Sequence, residues 1–379
     1  MSKLKEYRIS ELGEIGRGRS RHRPRNDKAL YGGEYPFIQT GDVKRANFYI
    51  TEHTATYNEV GLAQSKMWEE DTLCITIAAN IADTAILKYP ACFPDSIIGF
   101  QPYKDKSDVR FIKYYFDIYK KHMESISMGA TQSNLSVAKL ESLTFRVPSI
   151  KVQKKIANVL STYDKLIENN NRRIEVLEQT TEEIYKEWFV RMRFPGYENT
   201  KFVKGIPEGW KVLKLQDFSE INYGKQLPTN KLIHKGYEVF GGNGIIGYYH
   251  EYMYEEQKIL ISCRGAASGE IVVSNPNSFI TNNSLILNLS DELFEYMKQN
   301  LFNSNLKPYA TGSAQPQITI NNIKGIKFLI PNHGILSKYN NLMKEVNSKT
   351  LYLSKQNKNL KKQRDLLLPR LMNGTIEVK

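Results

Sequence analysis

Between residues 152 and 189 the apolar side chains recur every seven positions. One series runs Ile156, Tyr163, Asn170, Leu177, Ile184; a second, four residues on, runs Leu160, Ile167, Ile174, Thr181, Trp188. Interleaved series of this kind are the d and a positions of a coiled-coil seam, so the stretch predicts one helix of about five heptads. Residues 332–371 repeat the frame, with Tyr339, Val346, Leu353, Leu360, Leu367 in one series and Met343, Thr350, Asn357, Arg364, Leu371 in the other. Pro148 and Pro331 stand just before each helix, and Pro369 is expected to end the second.

Elsewhere the apolar runs are short. "TLCITIAANIADTAIL" (72–87) and "ILISCRGAASGEIVV" (259–273) each read as two strands around a small-residue loop. "DVRFIKYYFDIYKK" (108–121) and "DELFEYMKQNLFNS" (291–304) read as helices opened by Asp108 and Asp291. "GATQSNLSVAKLESLTFRVP" (129–148) returns as "GSAQPQITINNIKGIKFLIP" (312–331), placing Gly129, Gln132, Phe145 and Pro148 on Gly312, Gln315, Phe328 and Pro331. Ser136 and Thr319, equivalent again, are expected to cap the short helices that follow.

These repeats divide the chain into six parts. Residues 1–148 form a first globular module, 149–192 a long helix and 193–210 a Gly/Pro-punctuated linker. Residues 211–331 form a second module, 332–371 a second long helix and 372–379 a short tail. The expected fold is an α/β (α+β) tandem, with two globular heads alternating with two long helices that pair as an antiparallel coiled coil. A buried Asn is cheapest opposite another Asn, so Asn170 is expected to meet Asn357. That register sets Trp188 against Tyr339 and Arg364 against Tyr163, where the guanidinium could stack on the ring.

Charge adds a partner to this picture. A formal charge of +13 favours a polyanion, with nucleic acid first and an acidic membrane surface second. Cys74, Cys92 and Cys263 are scattered and read as small apolar residues of a reducing cytoplasm. No stretch approaches 18 apolar residues, so a cytoplasmic protein is expected.

No catalytic constellation stands out. A metal-spaced His/Cys cluster and a Walker loop are both absent from the sequence. "SNPNS" (274–278) lacks the second proline and the aromatic that would stack a flipped base, and reads as a turn. "FGGNG" (240–244) reads as a tight turn between strands. The densest charge is "GRGRSRHRPRNDK" (16–28), where Arg17, Arg19, Arg21, Arg23 and Arg25 alternate. In a strand these five would share one face; in a loop they could follow a phosphate backbone, and arginine suits both phosphate and the O6/N7 edge of guanine. The bland alternative is a disordered basic arm. Lys44 and Arg45 are further candidates in this head, and Lys225, Gln226, Asn230, Lys231 and Arg264 in the other; each could equally be a solvated surface residue. The shared Gly129–Gln132 and Gly312–Gln315 turns read as scaffold joining head to helix; a glutamine there could instead bond N6 and N7 of adenine.

The long-helix repeat, "IYKEWFVRMRFPGYE", "GIPEGW" and "FGGNGIIGYY" together resemble the specificity (S) subunit of type I DNA restriction–modification systems. The resemblance covers nearly the whole chain. It implies a non-catalytic subunit in which each head reads one half of a split DNA site. It also implies that the helices dock methyltransferase (M) subunits, two in number, and restriction (R) subunits where these exist. S-adenosylmethionine would belong to the M subunits and ATP/Mg to the R subunits, with no cofactor or metal on this chain. The sequence departs from the family where a Glu-Gln pair commonly follows each proline: "PSIKVQKK" keeps only Gln153, and "PNHGILSKY" keeps neither. Read from the residues alone, a two-headed coiled-coil adaptor joining proteins remains the alternative.

Overall fold

The computed structural model describes residues 4–77, 83–126, 137–312 and 315–378. The chain forms two compact units, Met1–Arg173 with Leu353–Lys379, and Ile174–Tyr352. Each unit therefore holds one head together with half of each long helix.

The two heads share a four-strand core order, to which the first adds a fifth strand. In the first, the strands Gly13–Arg17, Ile97–Pro102, Leu73–Thr76, Thr84–Leu87 and Tyr49–Ile50 lie side by side in that order. In the second the order is Glu220–Tyr223, Ser284–Asn288, Ile259–Ser262, Ile271–Val273. The two runs expected from the sequence as paired strands are the third and fourth members of each sheet. A parallel pair recurs beside it, Phe37 against Cys92 and Val239 against Phe279. In both heads the strand that opens the head closes antiparallel on the strand that precedes the long helix, Lys5 opposite Val147 and Lys211 opposite Ile330.

The repeat is thus longer than the sequence disclosed. Its offset is 206 at the opening strands (211 less 5) but 183 at the closing ones (330 less 147). The first head carries extra chain between its first and third strands, including the short helices Thr40–Arg45 and Glu59–Ala63. That insertion put the N-terminal third of the repeat out of phase.

The helix Val109–Ile126 opens as expected, with Asp108 Oδ1 accepting from the Arg110 N–H at 3.0 Å. In the second head Ser290 takes the cap position and Asp291 is the first helical residue of Asp291–Phe302. Asn322 Oδ1 accepts from the Thr319 N–H at 2.8 Å at the start of Ile320–Ile323, while Ser136 lies outside the described residues.

The long helices run Ile150–Tyr185 and His333–Met372, roughly 54 and 60 Å at 1.5 Å per residue. None of the seam positions is exposed. In the first unit Asn170 Nδ2 donates to Asn357 Oδ1 at 3.0 Å, and Arg364 pairs with Asp164, so the helices there run antiparallel. The stacking of Arg364 on Tyr163 is replaced by this ion pair one residue along. A guanidinium that is only a quarter exposed gains more from a carboxylate than from a ring face. Tyr114 OH also donates to Asp164, tying the head to both helices, and burial with that carboxylate pushes the phenol well up. Pro369 lies inside the second helix, which continues a turn beyond it with Asn373 N–H on Pro369 O at 3.1 Å. A proline forfeits its own N–H but not its carbonyl, and Leu371 and Met372 are held by packing in the core of the first head.

In the second unit Trp188 meets Tyr339 at 5.8 Å between ring centroids. The first helix widens to a π-helical turn over Lys186–Val190, which brings Phe189 onto Tyr339 as well, edge to face at 4.9 Å. Each head core is continuous with helix side chains: Ile156, Ala157, Leu160, Leu368 and Leu371 in the first, and Tyr185, Ile335, Leu336 and Met343 in the second.

Candidate nucleic-acid interface

The five arginines of 17–25 do not share a strand face. Arg17 is the last residue of its strand, and the chain leaves the sheet at Gly18, so the alternation continues into a loop. That loop is held by its neighbours. Gln64 Oε1 accepts from the Arg21 and His22 N–H groups at 2.6 and 3.1 Å, and Ser65 Oγ donates to Arg19 O at 2.8 Å. His22 Nε2 lies 2.9 Å from Asp27 Oδ2, and the Ala29 N–H followed by His22 holds the Asp27 carboxyl below its ordinary value.

Two of the five arginines serve the loop itself. Arg23 Nη1 donates to Ser20 O at 2.7 Å and His22 O at 2.8 Å, and Arg25 Nη2 donates to Asp95 Oδ2 at 2.8 Å. Arg17, Arg19 and Arg21 are exposed and make no ion pair among the described residues. The loop is therefore a braced support that turns three free guanidinium groups to solvent. Gln64 and Ser65 were not legible as part of it, because nothing in "LAQSK" marks a side chain aimed 43 residues back along the chain.

Arg45, in the last turn of Thr40–Arg45, pairs with Asp42, a buried carboxylate that also accepts from Thr54 Oγ1 at 3.0 Å. Its charge is partly offset. Lys44 is exposed on the same turn.

In the second head Lys225, Gln226, Asn230 and Lys231 are exposed along one loop between the strands Glu220–Tyr223 and Tyr237–Gly241. Arg264 is exposed on a different loop. Its backbone bridges to Gln317, and Gly265 N–H and Ser268 Oγ both donate to Pro316 O, at 3.0 and 2.7 Å. Reciprocal Thr311–Gln317 hydrogen bonds at 2.8 Å flank Gly312 and Gln315, so Gln317 joins Thr311 to the Arg264 loop. Gln315 is exposed; Gly129 and Gln132 lie outside the described residues. "FGGNG" is a tight hairpin turn, with Gly241 opposite Gly244.

Gln153, the one remnant of the Glu-Gln pair, is wholly buried. Its Oε1 accepts from Asp108 N–H at 3.1 Å, and its Nε2 donates to Lys106 O and Pro148 O at 2.9 Å each. It latches the first head to the first helix. The corresponding position in the second copy is Leu336, also buried, which makes that joint apolar.

Among the described residues no cluster of His, Cys, Asp or Glu could hold a metal ion, and no helix is long and apolar enough to cross a membrane. The three cysteines are buried and unpaired, and burial pushes their thiols up.

Two heads of one topology, each joined to a long helix and each presenting polar side chains from loops at the sheet edge, define a class of duplicated recognition proteins. The chain belongs to the type I restriction modification DNA specificity domain family, whose profile matches residues 1–179 and 207–362. It is 28% identical to the type I restriction enzyme MjaIX specificity subunit of Methanocaldococcus jannaschii, over 98% of this chain and 93% of that protein. It is 20% identical to the EcoprrI specificity subunit of Escherichia coli, over 79% of this chain and 77% of that one. Its fold is similar to the crystal structure of the type I restriction-modification S subunit from M. genitalium, with a TM-score of 0.62, 16% identity and coverage of 98% and 96% of the two chains.

Proposed function

We propose that this chain is the DNA-reading and scaffold subunit of a type I restriction–modification complex. Each head reads one half of a bipartite duplex site, the spacer between the halves goes unread, and the chain does no chemistry of its own. The observation that carries this reading is the pairing of a common framework with differing loops: both heads share a four-strand core order but turn unlike polar side chains outward, Arg17, Arg19 and Arg21 in one and Lys225, Gln226, Asn230 and Lys231 in the other. Arginine and lysine supply the sequence-independent attraction to phosphate, and the residues that differ can supply specificity.

The helices are the docking platform for methyltransferase subunits and, where present, restriction subunits. In support, large apolar side chains stay exposed along them: Leu166, Val176, Val190, Leu351, Tyr352 and Leu366. Such residues are unneeded for the seam and suit a protein partner. The methyl donor would be bound by the methyltransferase subunits, and ATP with magnesium by the restriction subunits.

Methylome sequencing of cells with and without the gene tests the proposal. The expected result is one split motif whose methylation requires this chain, with loss of methylation when either head is deleted. A purified chain whose duplex binding is absent, or indifferent to salt, would leave the adaptor reading in its place.

A further inference from the structure

Both heads leave their first core strand in the same way. Gly18 follows Gly13–Arg17 and donates to Ile97 O at 2.9 Å, while the next N–H, of Arg19, donates to Phe93 O at 3.0 Å. Gly224 follows Glu220–Tyr223 and donates to Ser284 O at 3.1 Å, while the next N–H, of Lys225, donates to Ile280 O at 3.0 Å. The acceptors match: Ile97 and Ser284 are the first residues of the neighbouring strands. Phe93 follows the short strand Ala91–Cys92, and Ile280 ends the short strand Phe279–Ile280.

The glycines are required at these crossings. A Cβ on Gly18 would stand 2.3 Å from Phe93 O, and one on Gly224 would stand 2.2 Å from Thr281 O. The residue after each glycine is therefore delivered to a fixed place at the sheet edge by two backbone hydrogen bonds. In both heads that residue is a cation, exposed and without an ion pair among the described residues. The positions around it do not agree: Arg17 answers to Tyr223, Ser20 to Gln226 and Arg21 to Leu227.

We propose that Arg19 and Lys225 are matched phosphate contacts, one per head, that hold each head against the DNA backbone, and that base reading falls to the neighbouring positions where the heads differ. The inference rests on the DNA-reading function proposed above. Two half-sites of different sequence have their sugar–phosphate backbone in common and their base edges not. A guanidinium and an ammonium both serve a phosphate, so an Arg/Lys pair at one framework position fits that role. Gln64 and Ser65 act as positioning residues for Arg19 through the loop backbone.

The test is a titration of the full chain with a fluorescent duplex of about 30 base pairs and arbitrary sequence, at 50 to 200 mM salt. Phosphate contacts do not require the cognate motif, so any duplex serves. Arg19→Ala and Lys225→Ala should each reduce the slope of log affinity against log salt by about one unit. The ratio of affinities between the two salt limits should then shrink about fourfold for each variant. Arg19→Lys and Lys225→Arg should keep the wild-type slope, which separates lost charge from misfolding. In cells the Ala variants should lower methylation without altering the motif. Unchanged slopes beside a salt-dependent wild type overturn this inference alone. A variant that changes one motif position while the slope stays fixed also overturns it, in favour of base contact. A wild type with no salt-dependent binding removes the proposed function and the inference together.

Discussion

Asn170 donates from Nδ2 to Asn357 Oδ1 at 3.0 Å, with both side chains nearly buried between the two long helices. Asn357 donates in turn to Asn171 Oδ1 at 2.7 Å, and Gln356 Oε1 accepts a second hydrogen from Asn170 at 2.9 Å. This polar layer fixes the register, because sliding the helices would leave each amide buried without its partner. Asn170→Leu should cost about 1–3 kcal/mol, the penalty of a buried polar group left unpaired. The double variant with Asn357→Leu should recover much of that loss, giving a coupling of at least about 0.5 kcal/mol in urea denaturation. Additive losses would mean that the two amides do not act as a pair.

Gln153 joins three backbone groups to which no other side chain among the described residues is hydrogen-bonded. Replacing it with Leu, the residue type at the equivalent position of the second copy, should still destabilise the first head by about 1–3 kcal/mol. The Asp108 N–H and two carbonyls would lose their partner there. Calorimetry should show the transition of the unit containing Met1–Arg173 moving to lower temperature, with the other nearly unmoved.

The ion pair of Asp164 with Arg364 is inside the first unit, with side-chain exposures of 14% and 25%. Arg364→Ala leaves the Asp164 charge with the Tyr114 hydroxyl but no cation and should cost about 2–4 kcal/mol, a figure below that for fully buried pairs because some solvent reaches this one. Arg364→Met with Asp164→Leu should be milder than Arg364→Ala alone. Thermal melts of the two variants beside the wild type decide this.

Within the arginine loop the variants should divide by contact. Arg23→Ala and Arg25→Ala remove internal ties and should increase protease cleavage within residues 18–30 before any change of motif. Arg21→Ala should leave the loop intact. If Arg21 reads a base, methylome sequencing should find one motif position relaxed at a cost of roughly 1–3 kcal/mol.

One heptad added to each long helix, in frame with the seam, lengthens the helices by about 10 Å, or roughly three base pairs of duplex. Under the proposed function the methylated motif should acquire a spacer longer by up to that amount. A folded, assembled variant that still methylates the original spacing would show that the helices do not set it.

The tandem order of heads and helices was legible because repetition and heptad spacing survive in one dimension. Seam positions recur every seven residues whatever they pack against, and Asn170 with Asn357 announced their own layer as polar residues in an apolar series. The first third of the repeat was illegible because extra chain in the first head shifted its phase, and only strand pairing realigns Lys5 with Lys211. Five alternating arginines suggested a strand face, but alternation says nothing about where a strand stops. Gly18 stops it, because the close approach to Phe93 and Pro94 turns the chain off the sheet. Which arginines brace the loop and which stay free was decided by Ser20 and His22 carbonyls, Asp95 and Gln64, groups whose proximity exists only after folding. Periodicity is a property of neighbours in sequence and can be read there; the partner of a charged side chain is a property of neighbours in space.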